Sequence, residues 1–401
     1  MIPLLSLIIP TRNRPAYLLD SVDLALKECP NAEIVVSDNS TTDALRSSLS
    51  LHTNSGRVLY RHSSEHLSVV DNFERGLEMS TGRYVMFIGD DDGVGPHLEQ
   101  VVLWAIDRDV EAVVSYCNTL VTIYFWPGVR SKYFGDAYAE TLFLHPFTGQ
   151  ASAIDPLAAL RDVSGQFGGG LGRMPRAYHG LVSRKLLKRV KNKYGSVFGG
   201  VSPDIYSAAL ISSVCRRACV VDYPFVIPGA SSVSTAGEGA ARTDKGKLRD
   251  IDHVARFGDS LLWDPRIPEF YSPQTVWAYS LQKALDKMPE LNIEPAYGRL
   301  FARCLLYYPK YWGEIFRSAR HWNSLTGGLL FWSRVSLGVI AEIFQQLLRA
   351  MRRARHPRAG GASERLSGLQ SISQAYAALE SHIRLKGEAL QMPIRETENS
   401  K

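Results

Sequence analysis

The chain has 401 residues, with 46 Lys and Arg against 40 Asp and Glu and a formal net charge of +6. A hydrophobic content of 45% allows a full-sized core, which excludes a wholly disordered or fibrous protein, and the length favours two domains or one domain with a long extension. Five cysteines at irregular spacing argue against a disulfide framework and favour a reducing compartment, so we expect a cytoplasmic location.

The first hundred residues alternate between apolar, β-branched runs and segments of helical period. This alternation predicts βαβ units on a parallel sheet, and therefore an α/β fold. In such sheets ligands bind beyond the carboxyl ends of the strands, and polar residues follow each predicted strand here. The predicted strands cover residues 4–9, 33–37, 57–60 and 83–88, and the predicted helices cover 15–27 and 69–79.

Beyond residue 110 the pattern is less regular. Residues 112–129 approach the length of a membrane span, but their β-branched and polar residues favour strands joined by a turn. Residues 165–172 (GQFGGGLG) lack the Lys-Ser/Thr of a phosphate-binding loop and predict a flexible loop that could act as a lid. We expect a helix over 203–215 and a strand over 220–226, and mainly helices from about residue 250.

Three adjacent carboxylates, Asp90, Asp91 and Asp92, directly follow the fourth predicted strand. They repel one another, and their burial costs stability unless a cation neutralises them. Oxygen ligands suit Mg²⁺ or Mn²⁺, which would hold a leaving diphosphate as its charge develops. The alternative is a solvated acidic turn. The triplet thus predicts a metal-dependent enzyme that acts on a phosphate compound.

Three segments extend this prediction: LSLIIPTRNRP (5–15), AEIVVSDNSTTD (32–43) and DNFERGLEMSTGRYVMFIGDDDGV (71–94). In their order and spacing the chain resembles the nucleotide-binding half of family 2 glycosyltransferases of GT-A fold, clearly to about residue 110 and more weakly to about residue 235. The resemblance implies a Rossmann-like, mostly parallel sheet flanked by helices. It also implies a nucleotide-diphosphate-sugar donor, with UDP expected, and inverting hexosyl transfer to a glycan or lipid-linked saccharide in cell-surface polysaccharide biosynthesis.

The resemblance assigns roles to matching positions. Asp38 matches a family Asp that contacts the nucleobase, where a carboxylate can accept the imide N–H of uracil; the alternative is an Asx turn. Asn72 is either a donor contact, displaced by two positions from the family's Asn, or a helix cap. Gly89 occupies the first position of the family's Asp-x-Asp in an ungapped match, which leaves open which aspartate binds the metal. The expected donor contacts are Pro10, Thr11, Arg12, Arg14, Asp38, Asn72 and Asp90, and the expected metal ligands are Asp90, Asp91 and Asp92.

An inverting transferase needs a general base to take the proton of the acceptor hydroxyl. The family supplies it at the start of a helix, and the matching segment here, GGVSPDIYSAAL, carries Asp204. The helix dipole would keep this carboxylate ionised at neutral pH, unless Asp204 only serves the first helical turn. Asp222 is a weaker candidate. His179 either contacts the donor phosphate or the acceptor, or has a structural role. The segment from Ser231 resembles a loop that closes over the donor in some relatives; the alternative is an ordinary polar loop.

The positive charge is concentrated near the C-terminus. Residues 310–358 hold nine Lys and Arg against two Asp and Glu, a net charge of +7, which leaves 37 basic and 38 acidic residues elsewhere. A charge this local does not indicate nucleic-acid binding. It predicts either an anionic membrane surface as a partner, with peripheral docking on the inner face of the cytoplasmic membrane, or a helix packed on its own core. A helix over 326–353 would have an apolar face of Trp332, Val335, Val339, Ile340, Ile343, Phe344 and Leu347 and a polar face of Arg334, Gly338, Glu342, Gln345, Arg349 and Arg352.

We expect a GT-A domain over residues 1–240, divided into a nucleotide-sugar half (1–110) and an acceptor half (111–240). A helical extension would cover 250–358, and a linker, terminal helix and tail would cover 359–401. Two other functions compete. A sugar-phosphate nucleotidyltransferase usually has a Gly-rich loop after its first strand, which PTRNRPAYL lacks. A non-catalytic, glycosyltransferase-like scaffold is disfavoured by the acidic triplet and Asp204.

Overall fold

The computed structural model describes residues 2–115, 122–131, 135–234, 246–326, 328–355, 364–387, 390–391 and 394–395. Within these ranges the strands are β1 Leu5–Thr11, β2 Ala32–Asp38, β3 Val58–His62, β4 Tyr84–Phe87, β5 Gly93–Val94, β6 Ala112–Ser115, β7 Ile123–Phe125, β8 Thr141–Leu144, β9 Ala151–Ile154, β10 Gly180–Ser183, β11 Ala218–Val221, β12 Val226–Ile227, β13 Gly229–Ala230, β14 Glu364–Ser367 and β15 Ile394–Arg395. The α-helices there are α1 Pro15–Glu28, α2 Leu45–Ser48, α3 Ser50–Asn54, α4 Val69–Met79, α5 Leu98–Asp107, α6 Pro156–Gly165, α7 Arg184–Tyr194, α8 Pro203–Val214, α9 Asp252–Ala255, α10 Pro273–Leu285, α11 Tyr297–Tyr307, α12 Trp312–Thr326, α13 Gly328–Arg355 and α14 Ile372–Lys386.

A nine-stranded, mostly parallel sheet lies at the centre of the described structure. Its strand order is β15-β9-β11-β6-β10-β4-β1-β2-β3, and β1 pairs in parallel with both β2 and β4. The antiparallel strand β10 joins β4 to β6, and β9 runs antiparallel to β11. A four-stranded sheet (β13-β7-β8-β14) and the pair β12-β5 lie beside it. The predicted α/β class, with a mostly parallel sheet and helices C-terminal to it, is confirmed.

The apolar runs of the first hundred residues form the predicted strands. β1, β2 and β4 are buried along almost their whole length, because separate apolar clusters cover the two faces of the sheet. α4 has the predicted bounds, and a capping box between Ser68 and Asp71 fixes its start. The strand expected over 220–226 is wrong, since β11 ends at Val221 and β12 pairs with β5 outside the main sheet.

The glycine-rich segment 165–172 is packed against the helical extension. Arg303 of α11 donates hydrogen bonds to the carbonyl oxygens of Gln166 and Phe167. A Cβ built on Gly168 would lie 2.8 Å from the side chain of Leu300, so glycine is needed for this close approach. This loop thus contacts the helical extension, and its action as a lid stays a prediction.

Helices α11 and α13 cross in close contact. A Cβ built on Gly338 would lie 2.7 Å from the carbonyl oxygen of Gly298, so the two glycines let the helix backbones meet. Beyond the crossing, the buried carboxylate of Glu342 lies 3.1 Å from the Arg303 guanidinium and 3.5 Å from that of Arg299. These contacts fix which side of α13 faces the protein.

The side of α13 that packs is not the one that the sequence pattern favours. Gly338 and Glu342, expected on a solvated polar face, are buried, whereas most of the predicted apolar face is not. No helix in the described part of the chain is long and apolar enough to span a membrane. The exposed members of the predicted apolar face are Ile340, Ile343, Phe344 and Leu347.

The terminal helix α14 packs against the N-terminal half. The backbone N–H of Ile372 donates to Asp20 of α1 (2.8 Å), and the hydroxyl of Tyr376 donates to Glu28 (2.7 Å). A Cβ on Gly93 would lie 2.5 Å from the Ile372 side chain. The expected linker over 358–363 and the residues after 395 lie outside the described ranges, and the domain boundaries stay a prediction.

Candidate active site

Three neighbouring parallel strands end at one edge of the main sheet. β1 ends at Thr11, β2 ends at Asp38, and β4 runs into the acidic triplet. The hydroxyl of Thr11 donates a 2.6 Å hydrogen bond to Asp90, and Pro10 lies beside Thr11 in β1. The carboxyl ends of these strands therefore meet, as expected for a ligand site of an open α/β sheet.

All three aspartates of the triplet are buried, and a basic residue and a histidine lie against them. Arg14 lies 2.8 Å from a carboxylate oxygen of Asp90 and 3.7 Å from one of Asp91. His179 lies 2.6 Å from Asp92. Arg14 thus compensates part of the charge of the triplet, and the metal ligands Asp90, Asp91 and Asp92 stay a prediction.

Segments from distant parts of the chain hold the triplet in place. The backbone N–H of Gly229 donates to Asp92 (2.6 Å), and that of Ser231 donates to Asp91 (2.9 Å). The indole N–H of Trp126 donates to the Asp91 carbonyl oxygen (2.8 Å). A Cβ at Gly229 would lie 1.7 Å from that carbonyl oxygen, so only glycine fits. The Ser-rich segment thus contacts the triplet through its backbone; Gly237 lies outside the described residues.

The three carboxyl groups differ in acidity. Burial raises the pKa of Asp90 to about 7, against the attraction of Arg14. Burial and repulsion by Asp92 raise the pKa of Asp91. Burial also acts on Asp92, but attraction to His179 and the hydrogen bonds it accepts outweigh it, so its pKa lies below the usual value. Among the three, Asp92 therefore retains its negative charge most firmly.

Tyr178, which the sequence did not single out, contacts the triplet. Its hydroxyl donates to Asp92 (3.1 Å), and burial together with the charges of Asp92 and Asp204 raises its pKa well above the usual value. Asp204 lies in the first turn of α8, where its Oδ1 accepts hydrogen bonds from the Ser202 hydroxyl and the Ile205 N–H. No hydrogen bond among the described residues engages its Oδ2, which leaves that oxygen available to a substrate.

His179 adopts an unusual backbone conformation at this site. Its φ angle is 57°, in the left-handed region that non-glycine residues seldom adopt, and Asn13 beside Arg14 has a φ of 56°. Asp222, the weaker candidate base, instead accepts hydrogen bonds from the N–H and hydroxyl of Thr148. His179 therefore contacts the triplet through Asp92, whereas Asp222 is hydrogen-bonded to Thr148.

Asp38 is fully buried, and both of its carboxylate oxygens have partners. Oδ1 accepts from the Ser40 N–H (2.8 Å), which is the predicted Asx turn, and Oδ2 accepts from the Tyr60 hydroxyl (2.9 Å). An open cavity of about 410 Å³ lies at the end of β3, and its wall contains Arg61 and Arg75 together with Glu65 and Asp71. Its volume lies within the range of small-molecule sites.

Two other predicted donor contacts hold strand ends together. The Asn72 amide donates to the Ser37 carbonyl oxygen (3.1 Å), and Ser68 is the N-cap of α4, so the expectation that Asn72 might cap this helix is wrong. Arg12 donates to the Asn39 carbonyl oxygen (2.9 Å) and does not contact the triplet. Arg14, rather than Arg12, is the basic residue that reaches the acidic site.

The oxygens of the triplet are the candidate ligands for a divalent cation. No group of three or more His, Cys, Asp or Glu side chains is arranged to hold a metal ion in the described ranges. Asp92 accepts four hydrogen bonds, and Asp90 is paired with Thr11 and Arg14. Asp91 has the most accessible side chain of the three, and its nearest cation is 3.7 Å away. Asp91 is thus the aspartate whose oxygens best fit a single protein ligand to a hard cation.

Residues 6–148 match the family model described as glycosyl transferase family 2. A PGL/p-HBAD biosynthesis glycosyltransferase of Mycobacterium bovis is 33% identical over 94 residues, which are 23% of this chain and 37% of that protein. The abequosyltransferase RfbV of Salmonella typhimurium is 32% identical over 120 residues, which are 29% of this chain and 35% of that protein. The chain thus spans little more than a third of the length of these curated relatives.

Solved structures with a similar chain path were also found. Staphylococcus aureus TarS 1–349 in complex with UDP-GlcNAc has a TM-score of 0.45 at 14% identity, covering 96% of this chain and 92% of that one. The mannosyltransferase PcManGT of Pyrobaculum calidifontis, in complex with GDP-Man and Mn²⁺, has a TM-score of 0.38 at 16% identity, covering 97% and 89%.

Proposed function

Because residues 6–148 match the model of glycosyl transferase family 2, we propose that the protein is an inverting, metal-dependent glycosyltransferase. Its donor is a nucleotide-diphosphate sugar, with UDP as the expected nucleotide. Its acceptor is a glycan or lipid-linked saccharide of a cell-surface polysaccharide. The observation that carries the proposal is the burial of the acidic triplet at the carboxyl ends of β1, β2 and β4, where Tyr178 contacts Asp92.

The donor is proposed to lie across the carboxyl ends of β1, β2 and β4. The nucleotide would occupy the open cavity at the end of β3, where Arg75, which donates to the Asp38 carbonyl oxygen, lies in the wall. The buried Asp38 carboxylate already has two partners, so a contact to the base would require Tyr60 or Ser40 to yield. The diphosphate would approach Asp91, the aspartate with the most accessible side chain.

A divalent cation, Mg²⁺ or Mn²⁺, would supply charge stabilisation to the departing diphosphate when bound. Asp91 is the proposed protein ligand. Arg14 supplies positive charge to the neighbouring carboxylates. Burial alone would lower the pKa of Arg14, but the attraction of Asp90 and Asp91 outweighs it, so this pKa is raised. Arg14 therefore stays charged throughout the reaction and orients Asp90 and Asp91.

Asp204 is proposed as the general base. Its Oδ2 would accept the proton of the acceptor hydroxyl while that oxygen attacks the anomeric carbon from the face opposite the nucleoside diphosphate. The C1–O bond to the diphosphate breaks, and the configuration at C1 inverts. Asp204 lies in the first turn of α8, and the Ser202 hydroxyl holds Oδ1, which leaves Oδ2 for the acceptor hydroxyl.

A screen of nucleotide sugars with Mg²⁺ or Mn²⁺ tests the reaction class, because a transferase hydrolyses its donor slowly to free sugar and nucleoside diphosphate. A nucleotidyltransferase would instead release pyrophosphate. Asp204→Asn should lower turnover by roughly 10²- to 10⁴-fold with little change in donor affinity. Asp162→Asn, on the exposed side of α6, is the matched control and should retain full turnover. An active Asp204→Asn variant would remove Asp204 as the base.

The metal assignment has its own test. Asp91→Asn should abolish the dependence of donor binding on Mn²⁺, measured by thermal shift with the nucleoside diphosphate, while the folded protein keeps its secondary structure. If Asp91→Asn binds Mn²⁺ and nucleotide as the unchanged protein does, Asp91 is not the ligand.

A further inference from the structure

Helix α13 exposes a mainly apolar face that points away from the protein and is interrupted by the exposed Ser333 and Ser336. Its opposite side packs on α11, where Phe331 meets Phe301 with ring centroids 5.0 Å apart and Gly338 meets Gly298. A helix advances by about 100° per residue, so these contacts leave the other side of the helix unpartnered by α11. The exposed apolar residues of α13 are Leu329, Leu330, Leu337, Ile340, Ile343, Phe344, Leu347 and Met351.

These side chains are unusually accessible for large apolar groups. Leu329 is 90% exposed, Leu337 66%, Ile340 65% and Phe344 60%. The eight residues from 329 to 351 span about 33 Å at the rise of an α-helix. The solvent side of a surface helix is normally polar, and an apolar strip of this length marks an interaction surface.

The adjacent helix α12 extends this surface. Trp312 and Phe316 are both exposed, and the Phe316 ring lies 5.9 Å from that of Trp332 in α13. Tryptophan is enriched where proteins meet the interface of a bilayer, because its ring is apolar and its N–H is polar. We define the outer face as the eight exposed apolar residues of α13 together with Trp312 and Phe316.

The charges around the outer face are positive. Arg317 and Arg320 of α12 and Arg334 of α13 are exposed. The acidic residues of these two helices are Glu314 and Glu342, and Glu342 is buried in ion pairs. A second copy of the chain would bring like charges together across a two-fold interface, whereas anionic headgroups would neutralise them.

We propose that the outer face lies on an anionic lipid bilayer, with the axis of α13 parallel to the membrane plane. The apolar side chains would enter the boundary between headgroups and acyl chains, and the flanking arginines would contact the headgroups. This inference does not depend on the proposed transferase activity. The side of the helix that binds lipid is the side opposite the buried Gly338 and Glu342.

Vesicle flotation of the full chain tests the proposal without donor or acceptor. The unchanged protein should float with vesicles of phosphatidylcholine mixed with phosphatidylglycerol and bind weakly to phosphatidylcholine alone. Leu337→Glu combined with Phe344→Glu should weaken binding by about 100-fold, roughly tenfold for each apolar side chain removed from the bilayer. Leu51→Glu makes the same change at an 80% exposed leucine of α3 and should bind as the unchanged protein does.

A second pair of variants separates the electrostatic contribution. Arg317→Gln with Arg320→Gln keeps the apolar strip and should weaken binding to the anionic vesicles. The remaining binding should be less sensitive to salt than that of the unchanged protein. Equal binding of the unchanged protein to both kinds of vesicle, or no binding at all, would overturn the proposal. So would a dimer seen by light scattering that the double glutamate variant dissociates, because the outer face would then cover a second copy.

Discussion

The buried carboxylate of Glu342 gives a quantitative test of how α13 is attached. Glu342→Gln keeps the shape of the side chain but removes the charge that compensates Arg303 and Arg299. Removing one partner of a buried ion pair costs about 3–5 kcal/mol. We expect the lower end, about 3 kcal/mol, because Arg303 keeps its hydrogen bonds to the carbonyl oxygens of Gln166 and Phe167.

The same pair predicts a dependence on pH. Burial alone would raise the pKa of Glu342, but the Tyr307 hydroxyl and the two arginines outweigh it, so the folded-state pKa lies below the usual value. A carboxyl of this kind contributes stability above its unfolded pKa and loses that contribution as pH falls through the folded pKa. The difference in the free energy of unfolding between the unchanged protein and Glu342→Gln should therefore be largest at pH 7 and decrease below about pH 4.

Urea unfolding followed by tryptophan fluorescence and circular dichroism measures this difference. Glu314→Gln is the matched control in the neighbouring helix, and as a partly exposed group it should change the free energy of unfolding by less than about 1 kcal/mol. The reasoning would be refuted if Glu342→Gln unfolded within about 1 kcal/mol of the unchanged protein at pH 7, or if the difference grew on acidification.

Three further changes test the crossing and the site. Gly338→Ala should destabilise the protein by about 1–3 kcal/mol, because its Cβ would meet the Gly298 carbonyl oxygen, whereas Gly313→Ala, with open space around it, should be neutral or stabilising in the same thermal melts. Ser68→Ala should cost about 1 kcal/mol through loss of the α4 cap, and an unchanged unfolding midpoint would contradict the capping box. Tyr178→Phe should lower turnover by about tenfold with unchanged donor affinity, and full turnover would show that its hydroxyl does not support the site.

The sheet of the first hundred residues could be predicted closely because each strand there is a separate apolar run. β1, β2 and β4 were predicted to within about two residues of their bounds, and α4 at both ends. The acidic triplet could also be found, since its position after a strand is a local pattern. These signals lie in continuous sequence, where apolar periodicity and strand order determine the result.

The remaining contacts could not be predicted because they join distant segments. Gly229 lies 137 positions from the aspartate that it contacts, and Tyr178 lies 86 positions from it. The orientation of α13 depends on Gly298 and Arg303 of another helix, and a helical wheel of α13 contains neither. Local pattern identified both faces of this helix, but the neighbour decided which face packs.

The contact of α14 with the N-terminal half has a consequence for synthesis on the ribosome. Ile372 covers Gly93, and its N–H at the start of α14 donates to Asp20 of α1, 352 positions earlier in the chain. At about 5–20 residues per second, the first half waits roughly 20 to 70 s for this helix to be made. Until then one side of its nascent core is open to water and to chaperones, so C-terminal truncations should reduce soluble yield even where the site residues are intact.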